Sequence, residues 1–357
     1  MRVERFSLAL ARPLDTARGR IDAREGALVR VAGGDGPPGV GETTPLPGWT
    51  EDLDAALAAL DDADEATPLS ALAGTPAARH GLATARLDAA ARAAGESLAA
   101  HLADGTPVSA DGSRRSPSSV SRADTPGRPA SRVPVNATVG AGSPEETAEQ
   151  TRDAVAAGFD CLKLKVGARS VAADAERLRA ARAAAPDATL RADANGAWDE
   201  PAAREALAEA GDVGIEYVEQ PLPAADLAGH RRLREATETP VALDESLAAQ
   251  GLSDVLAAEA ADLLVLKPMA LGGPDRTVAA ARRAREAGLD AVVTTTIDGV
   301  VARTTAVHAA AAIPDVPACG LATGSMLAED LYPDPAPVER GAIRVPDGPG
   351  LAGAAFE

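Results

Sequence analysis

The stretch Cys161-Leu162-Lys163-Leu164-Lys165-Val166-Gly167 decides how this chain folds. Basic and apolar side chains alternate in it. In an extended strand Lys163 and Lys165 therefore share one face, and Leu162, Leu164 and Val166 take the other. A helical pattern follows at 170–185 and a second apolar run at 189–194. The alternation continues in both directions, with candidate strands at 134–139, 161–166, 189–194, 215–219, 240–244, 263–267, 291–295 and 318–321. Helical patterns lie between them at 144–157, 170–185, 200–210, 227–235 and 273–287. Eight strands at a spacing of about 25 residues, with helical patterns among them, predict an α/β fold, a (β/α) barrel with a parallel sheet. A doubly wound sheet is the alternative, but Gly140-Ala141-Gly142-Ser143-Pro144 after the first strand lacks the third glycine of a dinucleotide loop.

Barrel enzymes place reacting groups at the C-terminal ends of their strands. Here those ends read Lys163-Leu164-Lys165, Asp193-Ala194-Asn195, Glu219-Gln220-Pro221, Asp244-Glu245-Ser246 and Lys267-Pro268. Asp193, Glu219 and Asp244 are spaced by 26 and 25 residues, one βα unit each, so their oxygens can converge. A single aspartate there would serve equally well as a helix cap. Three in succession, with no histidine or cysteine among them, suit a hard cation, Mg²⁺ or alternatively Mn²⁺. His80, His101, His230 and His308 are scattered without metal-ligand spacing.

Lysine sharpens the pattern. Lys163, Lys165 and Lys267 are the only lysines among 35 basic residues. Arginine remains charged at any accessible pH, whereas an amine can be tuned to exchange a proton. A lone strand lysine is ordinarily a solvated surface residue, but these three end apolar runs. The second and sixth strands of an eight-strand ring are opposed, which sets Lys165 and Lys267 across the mouth. Lys163, a neighbouring ammonium, would favour the neutral form of Lys165. An amine base, a divalent cation and a second ammonium suit removal of a proton α to a carboxylate, because they stabilise the enediolate as it forms. That combination is known for enolase-type enzymes.

At these residues the chain resembles the muconate-lactonising subgroup of the enolase superfamily. The resemblance rests on Leu162-Lys163-Leu164-Lys165-Val166-Gly167, Arg191-Ala192-Asp193-Ala194-Asn195-Gly196-Ala197-Trp198 and Glu216-Tyr217-Val218-Glu219-Gln220-Pro221-Leu222. Ala242-Leu243-Asp244-Glu245-Ser246 and Leu264-Val265-Leu266-Lys267-Pro268 complete an ordered set spanning most of 134–325. Within the subgroup the chain is most similar to the o-succinylbenzoate synthase family. That leaning rests on Lys267-Pro268-Met269-Ala270-Leu271-Gly272-Gly273, Val293-Thr294-Thr295-Thr296-Ile297-Asp298, Gly320-Leu321-Ala322-Thr323-Gly324 and Asp330-Leu331. Asp298-Gly299 departs from the Glu-Ser that relatives often carry.

The resemblance implies an enolase-type (modified TIM) barrel with an N-terminal α+β capping domain. It implies Mg²⁺-dependent dehydration of 2-succinyl-6-hydroxy-2,4-cyclohexadiene-1-carboxylate to o-succinylbenzoate, a lyase step of menaquinone biosynthesis. In that scheme Lys165 is the base and then the acid, and Lys267 stabilises the enediolate. Asp193, Glu219 and Asp244 hold the metal, while Lys163, Asn195 and Glu245 support them. Thr16, Arg18 and Thr296 face the substrate. N-acylamino acid racemisation or dipeptide epimerisation on the same fold is the first alternative, although 318–322 lacks an Asp-x-Asp common in dipeptide epimerases. A Schiff-base lyase using Lys267 is the second.

The expected division is a capping domain at 1–104 completed by about 326–357, an insert at 105–132 and a barrel at 133–325. In the cap, 3–10 and 26–31 read as strands, 33–44 is rich in Gly and Pro and given no element, and 50–63 and 77–103 read as helices. The insert is Ser, Arg, Pro and Gly with almost nothing apolar, so it cannot bury a core and reads as flexible. A net charge of −18 argues against nucleic acid or an anionic membrane as partner. The partner expected is a small carboxylate substrate, and a homo-oligomer stays open. Acids spread along the whole chain read as a salt-adapted, halophilic surface. Two cysteines, no signal peptide and no membrane-length apolar run suit a soluble cytoplasmic protein.

Overall fold

The computed structural model describes residues 1–16, 19–33, 36–104 and 128–357; Arg18, the Thr16 side chain and residues 105–127 of the expected insert lie outside that description. The chain opens with an antiparallel sheet of β1 (Arg2–Thr16), β2 (Gly19–Val31) and β3 (Gly39–Thr43), in that order. Helices α1 (Leu53–Asp61), α2 (Pro76–Ala94) and α3 (Leu98–Ala103) follow.

Three expectations for this region are corrected. The first two strands run well beyond 3–10 and 26–31, pairing Arg2 with Arg30 and, past a register shift, Thr16 with Gly19. The Gly/Pro-rich 33–44 segment, given no element from the sequence, contains β3, paired with β2 from Ala27↔Thr43 to Val31↔Gly39. Its glycines serve close packing: a Cβ on Gly39 or Gly41 would lie 2.0 Å from the carbonyl oxygens of Ala85 or Gly81 on α2. The single helix expected at 77–103 is two, because Gly95 takes φ 70° and closes α2 as a left-handed cap. Ser97 then caps α3 by accepting from the Ala100 amide.

The remaining short strands are β4 (Arg132–Pro134), β5 (Ala137–Val139), β6 (Cys161–Lys165), β7 (Thr189–Asp193), β8 (Val218–Glu219), β9 (Val241–Leu243), β10 (Leu263–Leu266), β11 (Asp290–Val293), β12 (Val338–Glu339) and β13 (Ala342–Arg344). The run from β5 to β11 forms one parallel sheet in chain order. The eighth strand is reduced to two residues. Cys319 bridges to Val135 and Gly320 to Thr294, joining the two edges of the sheet. The expected first strand at 134–139 is divided, since Arg132–Pro134 pairs with β13 instead. Residues 130–132 are likewise held in the fold, with Ala130 N–H donating to the Ala311 carbonyl at 2.9 Å, so the insert ends earlier than expected.

Helices α4 (Pro144–Ala156), α5 (Val171–Ala184), α6 (Glu200–Val213), α7 (Leu227–Ala236) and α11 (Pro274–Glu286) match the five expected. Short helices α8 (Glu245–Gln250), α9 (Leu252–Ala257) and α10 (Pro268–Leu271), and the longer α12 (Val300–Ala311), have no counterpart among the sequence patterns. Every residue of α12 is buried, so its sequence shows no polar face and no amphipathic period. His308 on this helix accepts from Ala99 N–H at 3.1 Å and donates to the Leu351 carbonyl at 2.6 Å. Burial pushes it down to about 4, consistent with a neutral ring that ties α3 to the C-terminal segment. That segment also runs back over the first sheet: Ala328 N–H meets the Ala9 carbonyl, and Arg30 reaches the Tyr332 hydroxyl and the Phe356 carbonyl. Cys161 and Cys319 are buried and free. Among the described residues no helix is long and apolar enough to cross a membrane.

Candidate active site

The C-terminal ends of β6 to β10 gather the ionisable residues expected from the sequence. Lys163 Nζ donates to Glu219 Oε1 and Oε2 at 3.1 and 3.0 Å and lies 3.0 Å from Asp193 Oδ2. Lys165 Nζ meets the same Asp193 oxygen at 2.6 Å and donates to Asn195 Oδ1 at 2.9 Å. Asn195 Nδ2 in turn donates to Glu245 Oε1 at 3.0 Å. Lys267 Nζ donates to Asp244 Oδ2 at 2.5 Å. In strand order β7, β8 and β9 separate Lys165 from Lys267.

Burial differs across the set in a way that matters chemically. Asp193 and Glu219 are 1% exposed and the Lys267 side chain 10%, whereas the Lys165 side chain is 38% exposed. Lys165 is thus the amine most open to an incoming ligand. Burial alone would raise the Asp193 carboxyl, but Lys163 and Lys165 outweigh it and hold the group well below the usual carboxylate range. Burial and the Asp193 charge push Glu219 up to about 7 against the pull of Lys163. Burial pushes Asp244 up to about 6, opposed by Lys267. Burial would lower Lys163, yet Asp193 and Glu219 carry it well above the ordinary lysine value. Lys163 is therefore held as a cation on two carboxylates.

The carboxylates suit a hard divalent cation by the chemistry of their oxygens. Asp244 Oδ1 and Glu245 Oε2 are buried without a hydrogen-bond partner, so acceptor capacity is left over. As they stand, among the described residues, no three acidic, histidine or cysteine side chains are gathered closely enough to hold a metal ion. Lysine ammoniums occupy the carboxylate oxygens instead.

The backbone turns sharply where these side chains leave their strands. Asn195 and Gln220 adopt φ 46° and 43°, the left-handed region that non-glycine residues seldom enter. Gln220 is one of the residues that strand-end reading passes over. Fully buried, it accepts from the Asp244 and Ser246 amides, both at 3.1 Å, and donates to Ser246 Oγ at 2.8 Å. It thereby fixes the end of β9 against that of β8. His230 belongs to the same scaffold, since its Nε2 accepts from Leu222 N–H.

The expected substrate-facing residues fare differently. Thr296 is buried and its hydroxyl is committed to Asp298 Oδ1 at 2.5 Å. Thr295 Oγ1 pairs with Thr323 Oγ1 at 2.9 Å. Ile297 next to them holds φ 62°, an outlier for a β-branched residue, and its carbonyl accepts from Arg24 of β2. The departure at Asp298-Gly299 has a partner in β3. Glu42 takes the Gly299 and Ala302 amides at the start of α12, and a Cβ on Gly299 would lie 2.9 Å from a Glu42 oxygen. Strand-end reading also misses Trp49, whose ring centroid lies 3.2 Å from Lys267 Nζ. The available signal is compositional, because tryptophan occurs only twice in the chain.

Comparison with known proteins adds three kinds of likeness. Residues 146–354 match the family described as Enolase C-terminal domain-like. The o-succinylbenzoate synthase of Thermobifida fusca (strain YX) is 42% identical over 208 residues, 57% of this chain and 63% of that protein. The match thus spans less than two thirds of that relative's length. Among solved structures, the L-Ala-D/L-Glu epimerase from Bacillus subtilis is 26% identical with a TM-score of 0.83, covering 98% of this chain and 97% of that one. A dipeptide epimerase from Methylococcus capsulatus, complexed with Mg and the dipeptide L-Arg-D-Lys, is 28% identical with the same TM-score and 98% of both chains covered.

Proposed function

Because this chain belongs to the enolase superfamily, we propose that it is an o-succinylbenzoate synthase, a lyase acting in menaquinone biosynthesis. It would dehydrate 2-succinyl-6-hydroxy-2,4-cyclohexadiene-1-carboxylate. The observation that carries the proposal is the pair of amines on opposed strands, Lys165 open and Lys267 buried, with carboxylates on the arc between them. Lys165 as the free amine takes the proton α to the substrate carboxylate. Asp193 and Asn195 hold its Nζ in place for that transfer. Lys267, kept beside Asp244, stabilises the negative charge that develops on the carboxylate oxygens. Lys165, now protonated, returns its proton to the departing hydroxide, which leaves as water while the ring becomes aromatic. Asp193, Glu219 and Asp244, once their oxygens turn from the lysine ammoniums that now pair with them, would hold Mg²⁺, which would supply Lewis-acid stabilisation of developing negative charge. Lys267 lies between a carboxylate and an indole face, which supports a cationic role over that of a Schiff-base nucleophile.

Epimerisation of a dipeptide or racemisation of an N-acylamino acid is the second reading, favoured by the near-complete coverage of the solved epimerases. Incubation of the purified protein with the cyclohexadiene substrate, followed in the ultraviolet with and without EDTA, separates the two. We expect aromatic product that disappears with the chelator. No product, together with deuterium exchange at the α-carbon of dipeptides or N-acylamino acids, overturns the assignment.

A further inference from the structure

Trp49 is a point at which the described part of the N-terminal region touches the reacting groups. Its indole lies over the Lys267 ammonium at 3.2 Å from the ring centroid, on a site where Asp244 Oδ2 takes another side of the same nitrogen. A desolvated ammonium on an indole face is the strongest form of cation–π contact.

The path that sets this contact is short and made of buried or part-buried bonds. Trp49 sits in a turn closed by its own N–H to the Leu46 carbonyl and by Leu46 N–H to Thr50 Oγ1, both 2.9 Å. Glu51, two residues on, accepts from the Ala77 and Ala78 amides at the start of α2, at 3.1 and 2.9 Å. In the same first turn, Arg79 binds the Gly272 carbonyl and pairs with Asp275 Oδ2 at 2.7 Å. Gly272 closes α10, the helix that Lys267 itself begins. Ala77 packs on Met269 of that helix. The turn bearing Trp49 and the segment bearing Lys267 are therefore fastened to the same end of α2.

We infer that Trp49 is a positioning residue that aims the Lys267 ammonium, closing its outer side so that a bound carboxylate meets it only from the side of Lys165. The inference rests on Lys267 being the stabilising cation of the proposed dehydration. The contact between indole and ammonium holds whatever the substrate.

Two arms keep these apart. In a Trp198→Phe background Trp49 is the sole tryptophan, and Lys267→Gln in that background is expected to change its emission yield and wavelength. In turnover, Trp49→Phe should stay within about threefold of the parent, because a π face remains. Trp49→Leu should lower kcat roughly tenfold, with KM changed far less and the melting temperature kept. A merely structural role would move the melting temperature and would not be rescued by phenylalanine. Emission blind to Lys267→Gln, or a folded Trp49→Leu protein with parental kcat, overturns the inference. If Trp49→Leu does not fold, the phenylalanine variant and the emission arm decide. Failure of the parent protein to dehydrate the cyclohexadiene overturns the functional proposal alone and leaves the emission result standing.

Discussion

Replacing Glu42 by glutamine removes a titratable charge from the seam between β3 and α12, and its effect should depend on pH in a defined direction. Glu42 is fully buried and accepts from Gly299 N–H at 2.7 Å, from Ala302 N–H at 2.9 Å and from the Thr44 hydroxyl. Burial and the nearby Asp298 raise its carboxyl from 4.5 to about 7, against those three hydrogen bonds. The folded state thus binds this proton more tightly than the unfolded chain does. The resulting stability is fully present below the unfolded value near 4.5 and is lost as pH rises through about 7. At about 1.36 kcal/mol per pKa unit, the rise is worth roughly 3 kcal/mol. Glutamine does not titrate. The stability difference between wild type and Glu42→Gln should therefore shift by roughly 3 kcal/mol between pH 4.5 and 8, with the wild type relatively stronger in acid. Urea unfolding of both proteins at fixed salt across that range measures it. Glu42→Ala, which strands three donors at about 1–3 kcal/mol each, should be weaker than either protein at every pH. Parallel stability–pH curves for wild type and Glu42→Gln would refute the reasoning.

Three further outcomes are expected. Lys165→Arg keeps a cation opposite Asp193 but loses the amine that can release a proton, so turnover should fall by at least about 100-fold with little change in melting temperature. Near-parental turnover would remove Lys165 from the proton transfer. Gly41→Ala forces a methyl to within 2.0 Å of the Gly81 carbonyl, so α2 must lift from β3, at a cost of roughly 1–3 kcal/mol in chemical unfolding; no change would mean that the two elements are not in backbone contact. The net charge of −18 should make the protein melt at a lower temperature in dilute buffer than in molar salt, and a salt-independent melting curve would contradict a self-repelling surface.

The differences between sequence pattern and fold have common physical causes. The glycines of β3 look like loop because their purpose, letting a helix backbone come close, is set by α2 some forty residues on and has no local signature. Helix α12 is illegible in the sequence because total burial erases the polar face on which amphipathic periodicity depends. The position of Thr296 near a strand end suggests contact with substrate. Its hydroxyl instead satisfies Asp298 two residues later, a bond that turn geometry decides.

What the sequence determined by itself is the barrel and the positions of its ionisable strand ends. Strand alternation and the βα repeat are local regularities, written within spans of about 25 residues, so Lys163, Lys165, Asp193, Glu219, Asp244 and Lys267 can be located from residue order alone. What only the tertiary structure decided is how those groups are paired and held. Lys163 locks onto Glu219 and Asp193, Gln220 ties two strand ends together, Glu42 meets α12 across 257 residues, and Trp49 covers Lys267. Such contacts join segments far apart in the chain. Their free energy comes from burial and closure of the whole fold, which leaves no periodic trace in the residues that make them.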